Sequence, residues 1–454
     1  MISATGFADV VGSEVDAARP PCPLTIEETG LPRSAIVDLT LKALYQTGSM
    51  TGEELSDFLA LAFPVLDDLL LSLQQRHFVE VLDTRGHGRS GYRFALTDEG
   101  RNRARHAMEA SLYVGPAPVN LDTFTEWVRR QTVRNVRIGH EALRRAFADL
   151  VFPEEVYEAL GPAVNSGSSI FLHGAPGNGK TAIAERLAVL ESESIYLPRA
   201  VTVSGSVMVI EDPVYHHRVD TGESSETSPL VRHGVSWDRR FMHVRRPAVF
   251  VGGELTLDQL DLQYDPFSKV YQAPFQIKAA GGVLVIDDFG RQRARPSELL
   301  NRWIVPIEKG VDTLTLHTGA KFPVPFDTLL IFATNLNPSN LVDEAFLRRI
   351  QFKIEVRSPD KAAFAEILEM VCHDEEVPYA PAAVDLLFDT YYEPMGFRPR
   401  GCHPRDLVHQ IQSFSRYKGE SARLTPELIH RAARSYFLVT EEEYTAGIPS
   451  IHAT

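Results

Sequence analysis

Gly174, Gly179, Lys180 and Thr181 fall at the spacing G-x-x-x-x-G-K-T within SIFLHGAPGNGKTAIAERLAVL. An apolar stretch precedes them and an Ala/Leu/Ile-rich stretch follows, so the motif sits between a buried strand and a helix, the context that marks a phosphate-binding loop. Glycines there let backbone N–H groups converge on phosphate oxygens, and the helix N-terminus adds partial positive charge. Lys180 has the reach for β- and γ-phosphates, and the Thr181 hydroxyl can complete a Mg²⁺ shell. The expected nucleotide contacts are Gly174, Ala175, Pro176, Gly177, Asn178, Gly179, Lys180, Thr181 and Ala182.

A second group lies in GGVLVIDDFGRQ, residues 281–292, where a short apolar run ends in Asp287 and Asp288. Adjacent carboxylates repel unless a cation or a proton occupies the site. In isolation the pattern is a strand with a solvated end. Downstream of a phosphate loop, Asp287 is expected to hold Mg²⁺ and Asp288 to orient or deprotonate the attacking water. Further along, LLIFATNLNP ends a buried strand in Thr334 and Asn335, LVDEAFLRRIQFKIEV holds Arg348 and Arg349, and GCHPRDLVHQIQSF places Arg405 in the first turn of a helix.

Positioning these residues requires a layered scaffold. Five short apolar runs, at 169–173, 248–252, 283–286, 329–333 and 352–356, alternate with helical patterns and predict a parallel α/β sheet over 151–357. Residues 358–440 read as mostly helical and 441–454 as a polar tail. Residues 1–32 read as a flexible arm, 33–112 as three helices and a two-stranded wing, and 113–150 as a linker and helix. Thr51 and Glu54 have capping-box spacing at the start of the second helix.

In this order these elements resemble the AAA+ ATPases, P-loop NTPases with an αβα core and a helical lid. The resemblance implies ATP and Mg²⁺ as ligands and ATP hydrolysis as the reaction. It implies a sensor-1 role for Asn335 and a sensor-2 role for Arg405. It places the arginine finger at Arg348 or Arg349, with Arg349 preferred because it precedes the apolar Ile350. A finger acts in a neighbouring subunit, so a ring, most often a hexamer, is implied as well. The hairpin pattern at 311–326 resembles the presensor-1 branch, and residues 33–112 resemble a winged helix-turn-helix domain. The whole chain is similar to bacterial chaperone-like ATPases described as associated with Flp pilus assembly.

Departures from the family pattern are also visible. Residues 200–245 read as an insertion, strand-like at first and then polar, facing a partner or the ring surface. Its His216–His217 pair suggests a metal site, but adjacent strand residues point to opposite faces. Phe250, Val251 and Gly252 stand where relatives carry a pore loop, although the apolar approach favours a core strand. Asp288 replaces the usual Glu and is shorter by about 1.5 Å, so slow hydrolysis is expected.

Composition limits the partners. The 454 residues carry a formal net charge of -14, which argues against general affinity for nucleic acid. The N-terminus lacks a basic n-region and an apolar h-region, and no apolar run would cross a bilayer. Cys22, Cys372 and Cys402 are too scattered for a disulfide framework or a zinc site. A cytoplasmic protein without membrane insertion is expected. The third helix of the 33–112 region carries Asp67 and Asp68 and only Arg76 at its end, so protein contact is favoured over DNA readout there, even with Arg85, Arg89 and Arg93 on the wing. Arg101, Arg103 and Arg105 read as a solvated face. A chaperone-like ATPase acting on a protein partner is the leading expectation; a DNA-associated ATPase and a slow nucleotide-gated scaffold are the alternatives.

Overall fold

The computed structural model describes residues 19–84, 88–190, 194–219, 237–341 and 347–438. Most of the expected arm (1–18), Arg85 of the wing, residues 220–236 of the insertion and the tail at 441–454 lie outside them. The chain forms two compact units that interleave along the sequence: 1–136, 191–284 and 293–329 in the first, and 137–190, 285–292 and 330–454 in the second.

In the second unit the strand Ile170–His173 is flanked by Leu329–Thr334 and Phe352–Glu355, both parallel to it. These belong to a five-stranded parallel sheet in the order 248–251, 283–286, 329–334, 170–173, 352–355. All four residues of 283–286 and all six of 329–334 are buried, which is why these strands read as unbroken apolar runs. This is the parallel α/β layer that the five apolar runs predict. The helix Lys180–Leu190 leaves the sheet directly after the glycine loop.

The lid contains helices Lys361–Asp374, Ala382–Leu387, His403–Lys418 and Pro426–Tyr436. Asp360 opens the first by accepting the Ala363 N–H at 2.8 Å. Phe364, Leu368, Leu407, Val408, Ile411 and Ile429 close its core. A π-helical turn, Phe388–Tyr392, brings two consecutive tyrosines inward: Tyr391 meets His430 Nδ1 at 3.0 Å and Tyr392 meets His403 Nδ1 at 2.9 Å.

The first unit holds three elements. Helices Arg33–Thr47, Gly52–Leu59 and Phe63–Gln75 pack against a three-stranded antiparallel sheet, with Asp98–Ala110 closing the region. Thr51 accepts the Glu54 N–H at 3.1 Å and Glu54 accepts the Thr51 N–H at 2.7 Å, completing the capping box. The third strand, Ser49–Thr51, was not expected; three residues are too few to display a period.

The second element is a mixed five-stranded sheet assembled from Gln263–Asp265, Val270–Gln272, Ser206–Val209, Ala200–Val203 and Val119–Asn120. The third is a pair of two-stranded sheets, Ser194–Pro198 with Phe241–Arg245 and Val311–Thr315 with Lys321–Pro325. Trp127, Tyr196, Phe241, Tyr271, Leu314 and Phe322 share one core, so the 311–326 hairpin is packed rather than free. Among the described residues no helix is long and apolar enough to cross a membrane.

Candidate nucleotide site

The chemistry-bearing side chains gather where the parallel strands of the second unit end. Gly174 follows its strand with φ +145°, and a Cβ there would stand 2.3 Å from Val356 O, so only glycine allows the loop to lie against the neighbouring strand end. Gly177 and Gly179 adopt φ of +81° and +87°, the left-handed region that glycine enters at no steric cost. Lys180 opens the helix and is buried, with its ammonium donating to Gly174 O at 3.0 Å and Ala175 O at 2.8 Å. Burial lowers the pKa of that ammonium, Asp287 and Asp288 oppose the shift, and Arg400 adds to it.

Thr181 Oγ1 donates to Asp287 Oδ2 at 2.8 Å. The other Asp287 oxygen accepts the Asp288 N–H at 2.8 Å. Asp288 is exposed, with its backbone at φ +48°, a conformation that costs a non-glycine residue on the order of 1–3 kcal/mol. Its Oδ1 accepts from Asn335 Nδ2 at 2.9 Å, and its carbonyl accepts the Arg291 N–H at 3.0 Å. Thr181, Asp287, Asp288 and Asn335 therefore meet through two side-chain hydrogen bonds, although they come from three separate stretches of sequence. Hard oxygen donors from Thr181 and Asp287 at this separation fit a Mg²⁺ ion that completes its shell with phosphate and water.

Sequence reasoning missed the residues that brace the acids. Gln292 donates to Asp287 O at 2.8 Å and accepts the Gly290 N–H at 2.7 Å, which folds the loop after the strand back on itself. Thr334 donates to Phe289 O at 2.6 Å. None of these three bonds carries a spacing signature, because all depend on loop shape.

The three arginines lie in other elements of the same unit. Arg348 is exposed and Arg349 half-buried in the turn before the fully buried Ile350. Arg405 is exposed in the first turn of His403–Lys418. Phe250 lies within the strand Ala248–Val251 and is half-buried, and Val249 and Val251 are buried. His216 is a structural residue. Its Nδ1 accepts the Asp212 N–H at 2.9 Å, so Nε2 carries the proton and donates to Lys278 O at 2.9 Å. Burial lowers its pKa, and among the described residues no group of three or more His, Cys, Asp or Glu could hold a metal ion.

Comparison with known proteins gives a partial match. The family model described as a domain of unknown function (DUF8689) matches residues 360–435, the lid. No curated protein matches the chain. Among solved structures, NtrX from Brucella abortus in complex with ADP is similar at 14% identity and a TM-score of 0.38, over 67% of this chain and 62% of that one. The complex of the same protein with ATP gives 16% identity and a TM-score of 0.37, over 65% and 64%. The Thermotoga maritima RuvB Holliday junction branch migration motor gives 15% identity and a TM-score of 0.35, over 68% and 73%. The chain thus spans less than two thirds of the NtrX chains it matches.

Proposed function

We propose that this chain is a Mg²⁺-dependent AAA+ ATPase whose turnover of ATP remodels or assembles a protein partner in the cytoplasm. The observation that carries the reading is the convergence of the Thr181–Asp287 and Asp288–Asn335 pairs beside the glycine loop. Lys180 and the loop N–H groups bind the phosphates. Thr181 and Asp287 hold Mg²⁺, which when bound spreads the charge developing on the β- and γ-phosphate oxygens. Asp288 orients the attacking water and takes up its proton, and the Asn335 amide fixes the carboxylate's direction. Arg405 contributes from the lid, and Arg348 or Arg349 from a neighbouring subunit of a ring, a hexamer by family likeness. A short carboxylate held by Asn335 in a left-handed backbone supports slow turnover.

A protein partner is favoured over DNA by how the wing arginines are used. Arg89 binds Asp67 at 2.6 Å, and Arg93 lies 3.3 Å from Glu54 and 3.9 Å from Asp83. Arginines neutralised by acidic residues of the same region have little charge left for phosphates. A pilus-assembly partner is the narrower form of the reading and rests on the resemblance alone. Phosphate release tests the activity: Lys180→Ala is expected to abolish both ATP binding and turnover, and Asp288→Asn to abolish turnover while ATP still binds. Turnover unchanged in both variants would sink the reading.

A further inference from the structure

One side chain of the glycine loop is directed into the protein. Asn178 is 4% exposed, and its amide is engaged at both ends. Nδ2 donates to Val356 O and to Ser358 Oγ, each at 3.3 Å, and Oδ1 accepts the Gly401 N–H at 3.3 Å. The preceding carbonyl, Gly177 O, accepts the Cys402 N–H at 2.8 Å. Val356 and Ser358 mark the point where the last strand gives way to the lid, just before Asp360 caps the first lid helix. Gly401 and Cys402 immediately precede His403–Lys418, the helix that carries Arg405. Three segments thus meet on one amide: the phosphate loop, the lid's point of departure and the lid's arginine helix. A Cβ on Gly177 would stand 2.4 Å from Cys402 Sγ, so the lid approaches the loop as closely as a bare backbone permits.

We propose that Asn178 is a positioning residue that ties the lid to the phosphate loop, so that a change in loop shape on taking up phosphate is transmitted to Arg405. The chemistry requires a short side chain with two donors and an acceptor, which Asn provides; a Ser or Thr hydroxyl has only one proton to give. Lys180 and Thr181 are untouched by the tie, so removing it separates nucleotide binding from lid response. The proposal rests on the ATPase reading above.

Hydrogen exchange on the full chain, with and without ATP, tests it together with steady-state phosphate release. In the wild type, ATP is expected to protect both helix 180–190 and helix 403–418. In Asn178→Ala, protection of 180–190 persists and ATP affinity stays within about threefold, protection of 403–418 is lost, and kcat falls about tenfold. Asn178→Asp keeps the size and the acceptor but loses the donor, so it should fall between the two, and it carries the test if the alanine variant does not fold. A merely structural tie would lower protection of both helices equally and leave the ATP-induced increment at 403–418 intact; that result, or an unchanged kcat, overturns the proposal. If ATP fails to protect 180–190 in the wild type, the ATPase reading itself falls and this proposal with it, a result distinct from a loss confined to the lid of the variant.

Discussion

In the unit that carries Lys180 and Asp287, the side chains of the hydrogen-bonded group, Thr181, Asp287, Asp288 and Asn335, sit just past the end of a strand or in the first turn of the helix that follows one. In the other unit, short strands are gathered into mixed and antiparallel sheets that carry none of those side chains. Val119 pairs with Val201, and Tyr271 pairs with Met208. A buried local pair ties its segments together: Arg240, 3% exposed, binds the 3%-exposed Asp238 at 2.7 Å and from there donates to Thr29 O at 2.7 Å and Pro118 O at 3.4 Å, both far along the chain. The first arrangement places chemistry at strand ends and helix starts, and the second joins its segments by burial. Substitutions should therefore appear as lost turnover in one unit and as lost stability in the other.

Stability of the second kind can be read separately, because Trp127, Trp237 and Trp303, the three tryptophans, all lie in the first unit. Arg240→Ala leaves Asp238 charged, buried and without its bidentate partner, and should destabilise that unit by about 3–5 kcal/mol. Tryptophan fluorescence in urea measures this, and ATP binding should survive it at low denaturant. An unchanged midpoint would show that the buried pair does not hold these segments.

A smaller effect belongs to the lid. Burial, aided by Arg400 and opposed by Asp406, pushes the His403 imidazole down to about 4. The folded state therefore resists protonation, and the unfolded chain takes a proton once pH falls below the ordinary histidine value of about 6.5. Lid stability should be full above pH 6.5 and decline as pH falls toward 4, by up to about 3 kcal/mol. Hydrogen exchange of helix 403–418, corrected for its intrinsic pH dependence, should show this decline, and His403→Gln should flatten it. Smallest is Thr51→Ala, which removes one capping-box acceptor and should cost about 1 kcal/mol in the fluorescence transition of the first unit.

The same comparison explains what could be read from the sequence. The five core strands were legible because burial on both faces leaves a continuous apolar run, and the structure places each within a residue of its expected bounds. Thr181, Asp287 and Asn335 were legible because loop chemistry fixes their spacing from those strands. The sheet containing Val119–Asn120 and Ser206–Val209 was not, since strands of two to four residues with mixed burial show neither a period nor an unbroken apolar run. The expectation for the insertion captured only its strand-like start; the strand Phe241–Arg245 pairs with Ser194–Pro198, a register no local pattern announces. Asn178 was read as a phosphate contact from its place in the motif, and only the fold reveals that its amide is committed to Val356, Ser358 and Gly401.

The most direct test is phosphate release at saturating ATP and Mg²⁺ from the wild type and Asp288→Asn, with nucleotide binding measured on the same samples. Slow but measurable release is expected from the wild type, with a loss of at least about a hundredfold in the variant and equal ATP affinity in both. Release at the same rate from Asp288→Asn would contradict the assignment of Asp288 as the residue that activates water.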